Sequence, residues 1–384
     1  MHKYNIQFGK PLIGKEEKFE VNKTLNSPIL VHGSKIKIFE KKFSEYCKSK
    51  FAISVSSCTA GLHLLYFSLN ITKGDEVIVS SQTHTATAHA IELSGAKPVF
   101  IDSEDESGNI DVNLIEKKIT KKTKAICVVH YLGIPCDILK VKKICKKYKL
   151  SLIEDCALAV GAKVNNQHVG TFGDAGVFSF YPVKHMTTAE GGMIITNKKS
   201  LSNKLLLNRA FGVDRDHTNR KYPGQYDVKQ LGFNYRMSEI NATIGIVQLK
   251  KISNFLKKRK QNFLYLKKHL KANTHLKIVD TKYKNFSNSF YCCCFVLSKE
   301  IQSKRNEINL FLKKLGIGTS VYYPHPVPLM SYYKNKYSYN KNNFLNASIF
   351  SYNSIFLPVG PHLNIEHMKI IVKELNKIIE FYEK

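Results

Sequence analysis

Short apolar runs alternate with longer stretches of helical periodicity through the first half of the chain. Six of the runs have the length and composition of strands: residues 77–80, 98–102, 125–131, 150–154, 177–180 and 193–196. Between most of them, apolar residues recur three or four positions apart, as in helices that pack on one face. This order predicts an α/β fold in which a mostly parallel central sheet carries helices on both faces.

The C-terminal part has a different pattern and predicts a second, smaller domain. Its predicted elements are a long helix from Ser238 to Leu270, a strand over 290–297, a helix over 299–315 and a final helix after Leu363. We therefore expect a large α/β domain over residues 1–250, which includes the N-terminal segment, and a small α+β domain over 251–384. The Tyr-, Lys- and Asn-rich stretch 331–343 predicts a surface loop.

Lys184 stands out because it interrupts an apolar, glycine-rich segment, FSFYPVKHMTTAEGGMIIT, between two predicted core strands. An amine in a partly desolvated pocket loses its charge more readily than one in water and becomes a nucleophile towards carbonyl groups. The alternative is a lysine whose stem merely covers apolar surface. The surrounding sequence must show which of these two roles Lys184 has.

Two further features lie upstream of this lysine. The predicted strand over 150–154 ends in the acidic pair Glu154 and Asp155, and open α/β sheets bind ligands at such carboxyl ends. A carboxylate there could hold a pyridine nitrogen protonated, for which we favour Asp155, or it could cap a helix. Residues 56–60, SSCTA, open a helix with small and hydroxylated side chains, as phosphate sites and ordinary N-caps both do. Phosphate cradle, carboxylate and lysine are the three anchors that pyridoxal phosphate requires.

Several motifs in this order resemble the DegT/DnrJ/EryC1/StrS aminotransferases over nearly the whole chain. They are IQFGKPLIGKEE, GDEVIVSSQTHTATAHAIELSGAKPVFID, VVHYLGIPCD, EDCALAVGA, FSFYPVKHMTTAEGGM, LGFNYRMSEINATIGIVQL and YYPHPVPL. The resemblance implies the aspartate aminotransferase-like fold of type I pyridoxal phosphate enzymes, transaminase activity and a homodimer with shared active sites.

The resemblance also implies roles for individual residues. Lys184 would form the Schiff base with the cofactor, and Asp155 would pair with its pyridine nitrogen. Many relatives carry Gln where this chain has Leu158, and leucine cannot supply the hydrogen bond that this Gln makes to the phenolic oxygen of the cofactor. Some relatives replace the lysine with His and run a dehydration, but here the position is Lys184.

Further cofactor contacts follow from the same resemblance. The backbone amides of Thr59 and Ala60 and the hydroxyl of Ser179 would bind the phosphate. The ring of His84 would stack on the cofactor face, although a His in such a Thr-rich stretch could equally be a surface residue. Asn234 would reach across the dimer interface to the phosphate held by the other subunit.

The implied reaction takes an amino group from an amino acid, L-glutamate by the resemblance, and leaves pyridoxamine phosphate before a ketone is aminated. The acceptor would be a nucleotide-linked 3-oxo or 4-oxo deoxysugar used in lipopolysaccharide, capsule or glycan synthesis. A small phosphorylated ketone, such as a triose or sugar phosphate, is the second candidate. Arg215, Arg220 and Tyr322 are candidates for contacts to this anionic substrate, with plain surface positions as the alternative.

Composition and charge bear on four further classes of protein: nucleic-acid-binding, membrane, secreted and metal-binding proteins. The chain of 384 residues has 59 Lys and Arg against 30 Asp and Glu, a net charge of +29, but it lacks the motifs of nucleic-acid-binding modules. We expect anionic small molecules as substrates and no nucleic-acid partner. No apolar run approaches the length of a membrane span, and the N-terminus lacks the apolar core of a signal peptide. The nine cysteines show no paired metal-site spacing, which indicates reduced thiols, no metal and a cytoplasmic enzyme.

Overall fold

The computed structural model describes residues 2–214, 222 and 224–383 of the chain. The strands are β1 (Phe51–Val55), β2 (Glu76–Ser80), β3 (Lys97–Ile101), β4 (Thr123–Val129), β5 (Ser151–Asp155), β6 (Lys163–Val164), β7 (Gln167–His168), β8 (Ala175–Ser179), β9 (Gly192–Thr196), β10 (Leu276–Val279), β11 (Phe286–Ser287), β12 (Cys293–Leu297) and β13 (Ser354–Leu357). The helices are α1 (Lys15–Leu25), α2 (Ser34–Cys47), α3 (Cys58–Ser68), α4 (Thr85–Leu93), α5 (Ile138–Tyr148), α6 (Lys199–Asn208), α7 (Glu239–Leu270), α8 (Arg305–Lys314), α9 (Ser331–Tyr337), α10 (Leu345–Asn353) and α11 (Ile365–Glu383).

A seven-stranded sheet in the order β1-β9-β8-β5-β4-β2-β3 forms the centre of the molecule. Strands β8, β5, β4, β2 and β3 are parallel to their neighbours, whereas β9 runs antiparallel to both β1 and β8. Each parallel connection returns through a helix or a longer crossover, as parallel pairing requires. The predicted strands of this sheet are all present, with ends that move by one or two residues.

Helices cover both faces of the central sheet, which explains why its strands are apolar at consecutive positions. Val77 and Val79 of β2 pack into the core beneath α3, α4 and α6, whereas Ile78 packs into the core beneath α2, α5 and α7. Because successive side chains of a strand point to opposite faces, both sets must be apolar when both faces are buried. This three-layer arrangement confirms the predicted fold class.

The C-terminal part forms a second, smaller core around the antiparallel sheet β10-β12-β13. Helices α8 and α11 and the C-terminal half of α7 pack on this sheet, and Ile6 from the N-terminal segment is buried among them. The predicted boundary between residues 250 and 251 falls inside the continuous helix α7. The division of the chain at that point stays a prediction.

The stretch 331–343 is not the surface loop that its composition predicts. It forms α9 and a 3-10 turn at Lys341–Asn343, and the side chain of Tyr333 is only 1% exposed. Tyr333 packs into the core beneath α3 and α4, and its hydroxyl lies 2.7 Å from Nδ1 of His89. The prediction was wrong because tyrosine carries enough apolar area to be buried when its hydroxyl finds a partner.

Two properties of the described part of the chain bear on its environment. The helices found there include none that is both long and apolar enough to cross a membrane. All nine cysteines are free thiols, and eight of them are buried.

Candidate active site

The carboxyl ends of β5 and β8 lie side by side and carry two of the predicted site residues. Asp155 ends β5 and pairs in register with Val177 of β8, which itself ends at Ser179. Asp155 is only 4% exposed. Its Oδ2 accepts a hydrogen bond from Oγ1 of Thr87 at 2.8 Å, and its Oδ1 accepts one from the amide of Ala157 at 3.0 Å. These bonds fix the orientation of a buried carboxyl group at the edge of the sheet.

Glu154, the other acid of the pair, is completely buried and points to the opposite face of β5. Its carboxylate accepts hydrogen bonds from the amides of Gly170, Phe172 and Gly173 at 2.7 to 2.9 Å. The side chain of Glu154 thus holds a turn of the backbone in place. This arrangement favours Asp155 for contact with a ligand.

His130, Glu154 and Cys156 bring three possible metal ligands within 4.8 Å of one another. Their hydrogen bonds explain the cluster without a metal. Nδ1 of His130 accepts from the amide of Cys136, so Nε2 carries the proton that it donates to Glu154 at 3.1 Å. Burial raises the pKa of the Cys156 thiol well above its ordinary value, which disfavours the thiolate that binds metals.

Lys184 lies on the loop between β8 and β9, with its ammonium nitrogen 5.4 Å from the ring centre of Tyr291. The side chain is partly buried. Burial lowers the pKa of its amine, while the nearby Cys58 and Asp155 oppose that shift. The structure therefore brings Lys184 and Asp155 together and gives the amine the character of a nucleophile.

The N-terminus of α3 lies beside Ser179 and forms a place for an anion. Ser179 pairs with Gly192 of β9, and a Cβ on Gly192 would lie 2.7 Å from the amide nitrogen of Cys58. The strand can approach the helix this closely because residue 192 has no side chain. The side chain of Ser57 caps the helix by accepting a hydrogen bond from the amide of Ala60 at 3.1 Å, so an anion would share that N–H with Ser57. The amide of Thr59 belongs to the first turn, where N–H groups have no acceptor within the helix.

His84 is the N-cap residue of α4 and lies close to both Lys184 and Asp155. Its Nδ1 accepts the amide of Ala86 at 3.1 Å, and its ring meets the ring of Tyr323 edge-on at 5.5 Å. Burial lowers the pKa of the imidazole and the neighbouring Lys184 lowers it further, although His84 keeps an exposed edge. The lowered pKa favours a neutral ring near the lysine and the aspartate, which is compatible with the stacking role.

The structure describes two of the four remaining predicted residues. Asn234 is exposed and forms an isolated bridge to Ala210. The hydroxyl of Tyr322 lies 2.8 Å from that of Tyr291, and its carbonyl accepts from Gln82 at 2.9 Å. Arg215 and Arg220 lie outside the described residues.

Three residues at this site carry no signal in the sequence. Thr87 fixes Asp155, Tyr291 lies against the amine of Lys184, and Tyr323 lies against His84. Burial raises the pKa of the Tyr323 hydroxyl well above its ordinary value, and the nearby Asp155 adds to the shift. Thr and Tyr are common residues, so their placement at the site becomes visible only when the chain is folded.

Leu158 is buried in an apolar cluster with Tyr131, Leu132 and Tyr291. It extends this cluster towards the loop that follows Asp155. Leucine at position 158 therefore contributes apolar packing and no hydrogen bond to the site.

The chemistry of these groups fits pyridoxal phosphate. An amine with a lowered pKa stands near a buried, hydrogen-bonded carboxylate, and a helix N-terminus flanked by a serine hydroxyl provides an anion site next to them. A neutral aromatic ring, His84, lies beside the same space. The four features match the amine-reactive carbon, ring nitrogen, phosphate and flat face of that cofactor.

Known proteins share both this sequence and this fold. The chain matches the DegT/DnrJ/EryC1/StrS aminotransferase family over residues 11–376. GDP-perosamine synthase of Escherichia coli O157:H7 is 36% identical over 382 residues, which cover 99% of each protein. The solved structure of Helicobacter pylori PseC, an aminotransferase involved in the biosynthesis of pseudoaminic acid, superimposes with a TM-score of 0.92 at 31% identity and covers 98% of this chain and 100% of its own.

A Streptococcus pneumoniae protein assigned as a sugar aminotransferase is known in two cofactor forms with the same fold. Its PLP form superimposes with a TM-score of 0.92 at 28% identity and covers 99% of this chain and 100% of its own. Its PMP form gives a TM-score of 0.93 at 28% identity, with 98% and 100% covered. Motifs, fold and site agree, and the chain therefore belongs to the DegT/DnrJ/EryC1/StrS family of pyridoxal phosphate-dependent aminotransferases.

Proposed function

We propose that the enzyme transfers an amino group from L-glutamate to the keto group of a nucleotide-linked deoxysugar, for the synthesis of a surface polysaccharide or glycan. The pairing of Lys184 with a hydrogen-bonded Asp155 at the sheet edge supports the transamination chemistry. The acceptor class is supported by the names of two relatives that match almost the whole chain, GDP-perosamine synthase and the pseudoaminic acid aminotransferase PseC. The cytoplasmic location stays a prediction from the sequence.

Lys184 is the residue that we propose to move protons in both halves of the reaction. Its Nζ takes the proton from the α-carbon of the amino donor and, in the second half, reverses this transfer on the acceptor. A neutral amine is needed for this, and the lowered pKa of Lys184 favours it. The bound cofactor supplies an electron sink for the pair of electrons left at the α-carbon.

Asp155 holds the proton on the ring nitrogen of the cofactor and thereby maintains its electron withdrawal. The bonds from Thr87 and Ala157 keep both carboxylate oxygens in fixed positions. The amides of Thr59 and Ala60 and the hydroxyl of Ser179 would bind the phosphate, and the ring of His84 would stack on the cofactor. The buried side chains of Tyr291 and Tyr323 would help to exclude water from the reacting groups.

The active unit that we propose is a homodimer, in which Asn234 serves the phosphate of the partner site. A groove of about 920 Å³ is lined in part by Ala210, to which Asn234 forms its bridge, and it includes the apolar side chains of Val31, Phe211 and Val228. These three side chains are all exposed in the single chain. A second copy that covers this face would bury them and bring an exposed Asn234 to an active site.

The acceptor class can be tested by converting the purified enzyme to its pyridoxamine phosphate form with glutamate. This form is then mixed in single turnovers with UDP-, GDP- and dTDP-linked keto sugars and with small ketose phosphates, and the return of the visible absorbance is followed. We expect a fast return with one nucleotide sugar and none with the ketose phosphates. A response to the phosphates alone would replace the nucleotide sugar by the small phosphorylated ketone.

A further inference from the structure

Residues 289–291, which we call the clasp, join the lysine loop to helix α7. Nε2 of His185, the residue after Lys184, donates to the carbonyl of Ser289 at 3.0 Å. Nη1 of Arg259 on α7 donates to the carbonyls of Phe290 and Tyr291 at 3.4 and 2.9 Å. Each carbonyl of the clasp therefore accepts a hydrogen bond from a side chain of the large domain or of α7.

The same clasp also holds the loop that follows Asp155. The hydroxyl of Ser289 donates to the carbonyl of Leu158 at 2.9 Å, and its amide donates to the carbonyl of Gly133 at 3.0 Å. The packing is tight enough that a Cβ on Gly133 would lie 2.0 Å from Oγ of Ser289. Ser289 is 1% exposed, so water does not compete for these bonds.

His185 can make its bond only when Nε2 carries a proton, because the carbonyl oxygen of Ser289 accepts and cannot donate. Burial lowers the pKa of His185 well below its ordinary value, and the nearby positive charge of Arg259 lowers it further. The link between His185 and Ser289 thus keeps one protonation state and one geometry through the physiological pH range.

We propose that His185 and Ser289 are positioning residues of the aminotransferase reaction: through the carbonyls of Ser289 and Leu158 they hold the loop of Lys184 against the loop of Asp155. The chain of bonds runs from His185 to Ser289 and from Ser289 to Leu158, three residues after the aspartate. Tyr291, the last residue of the clasp, lies with its ring centre 5.4 Å from the amine of Lys184. The inference rests on the proposed role of Lys184.

The link sets how much water reaches Nζ of Lys184. A loosened loop lets water solvate the protonated nitrogen, which favours its charged form. The test is a pH titration of the visible absorbance of the full-length enzyme with its cofactor bound, because this band reports the protonation of the nitrogen that Lys184 contributes. We expect Ser289→Ala to raise the midpoint by about one pH unit, about a tenfold change in the ratio of the two forms.

Two further variants distinguish the loss of the hydrogen bond between His185 and Ser289 from a general loss of folding. His185→Leu removes the donor and should raise the midpoint as Ser289→Ala does, whereas His185→Gln keeps an N–H that can reach Ser289 and should titrate like the wild type. Ser298→Ala is the matched control, since that hydroxyl lies 2.7 Å from His275, at the far end of β12. If His185→Leu does not fold, Ser289→Ala decides alone, because it removes a single oxygen.

An unchanged midpoint in Ser289→Ala, equal to that of Ser298→Ala, would overturn the positioning role. A failure of the proposed function would look different: Lys184→Ala would then keep the visible band and its titration. The double variant His185→Leu with Ser289→Ala should shift the midpoint no further than either single change, because both break the same link. If the midpoint shift of the double variant equalled the sum of the two single shifts, His185 and Ser289 would not act through one chain of hydrogen bonds.

Discussion

Thr87 donates a hydrogen bond from Oγ1 to Oδ2 of Asp155 at 2.8 Å, and its hydroxyl also lies 2.7 Å from that of Thr83. Thr87 is in the first turn of α4, the helix that begins after His84. One short helix thus holds the carboxylate through Thr87 and carries at its N-cap the imidazole that lies near the same carboxylate. Both contacts depend on the position of α4 against β5.

Thr87→Val should slow turnover about 10- to 100-fold while cofactor remains bound. The change keeps the shape of the side chain but removes a hydrogen bond to a charged group, which contributes about 1.5–3 kcal/mol. Steady-state kcat measures the effect. Thr243→Val is the control, because Thr243 is equally buried but its hydroxyl donates to the carbonyl of Glu239 in the same helix and lies 2.9 Å from that of Thr24 on α1. Equal losses in the two variants would show that the Asp155 bond has no special part in turnover.

The acidic pair predicts opposite results for its two members. Asp155→Asn should leave the free energy of unfolding nearly unchanged and reduce kcat by at least about a hundredfold, since an amide cannot hold the ring nitrogen protonated. Glu154→Gln should lower the free energy of unfolding by about 2–4 kcal/mol. The wild-type carboxylate accepts three backbone N–H groups, and the NH2 group of glutamine cannot accept from any of them. Denaturant unfolding and kcat, measured on both variants, check this. Near-normal turnover in Asp155→Asn would move the pyridine contact to another group.

The sequence predicted those parts of the site whose residues contrast with their surroundings. Asp155 ends an apolar strand and Lys184 lies on the loop between two apolar strands, and such a conflict of charge with its surroundings points to function. The strands themselves were predictable because a sheet covered on both faces needs apolar residues at every position.

Contacts between distant parts of the chain could not be predicted in this way. Ser289 and Leu158 are 131 positions apart, and Thr87 and Asp155 are 68 positions apart. Nothing in the local sequence around a serine or threonine indicates such a partner. The same holds for α9, whose Tyr333 is buried against His89, 244 positions away. Composition alone made that segment look like a loop.

The lowered pKa of Lys184 predicts that the cofactor-free protein gains stability as pH rises. Between the lowered pKa and the ordinary value near 10.5, the unfolded chain binds more protons at this residue than the folded one. The free energy of unfolding of the wild type should therefore rise with pH through this window. Lys184→Met removes the buried charge, so it should be more stable than the wild type at pH 7, and the difference should shrink as the pH approaches 10.5.

Urea denaturation of both cofactor-free proteins at several pH values measures this difference. The exposed Lys257→Met serves as the control and should follow the wild type at every pH. A stability difference between Lys184→Met and the wild type that is the same at all pH values would mean that packing, and not the charge, causes it.

A mixing experiment tests whether Asn234 serves the neighbouring subunit. Lys184→Ala and Asn234→Ala should each lose activity as homodimers, because one lacks the lysine and the other the phosphate contact. In a mixed dimer, the subunit with Lys184 intact would receive Asn234 from the partner that carries Lys184→Ala. One of the two sites is then wild type in every residue.

Activity should therefore reappear when the two inactive variants are unfolded together, refolded and allowed to exchange subunits. Random pairing makes half of the dimers mixed with one good site each, so about a quarter of the wild-type activity is expected, in line with the isologous symmetry of a two-fold dimer. If Asn234 acted within its own chain, the mixed dimer would hold one site without lysine and one without asparagine. The mixture would then stay at the level of the separate variants, and the exposed position of Asn234 would need another explanation.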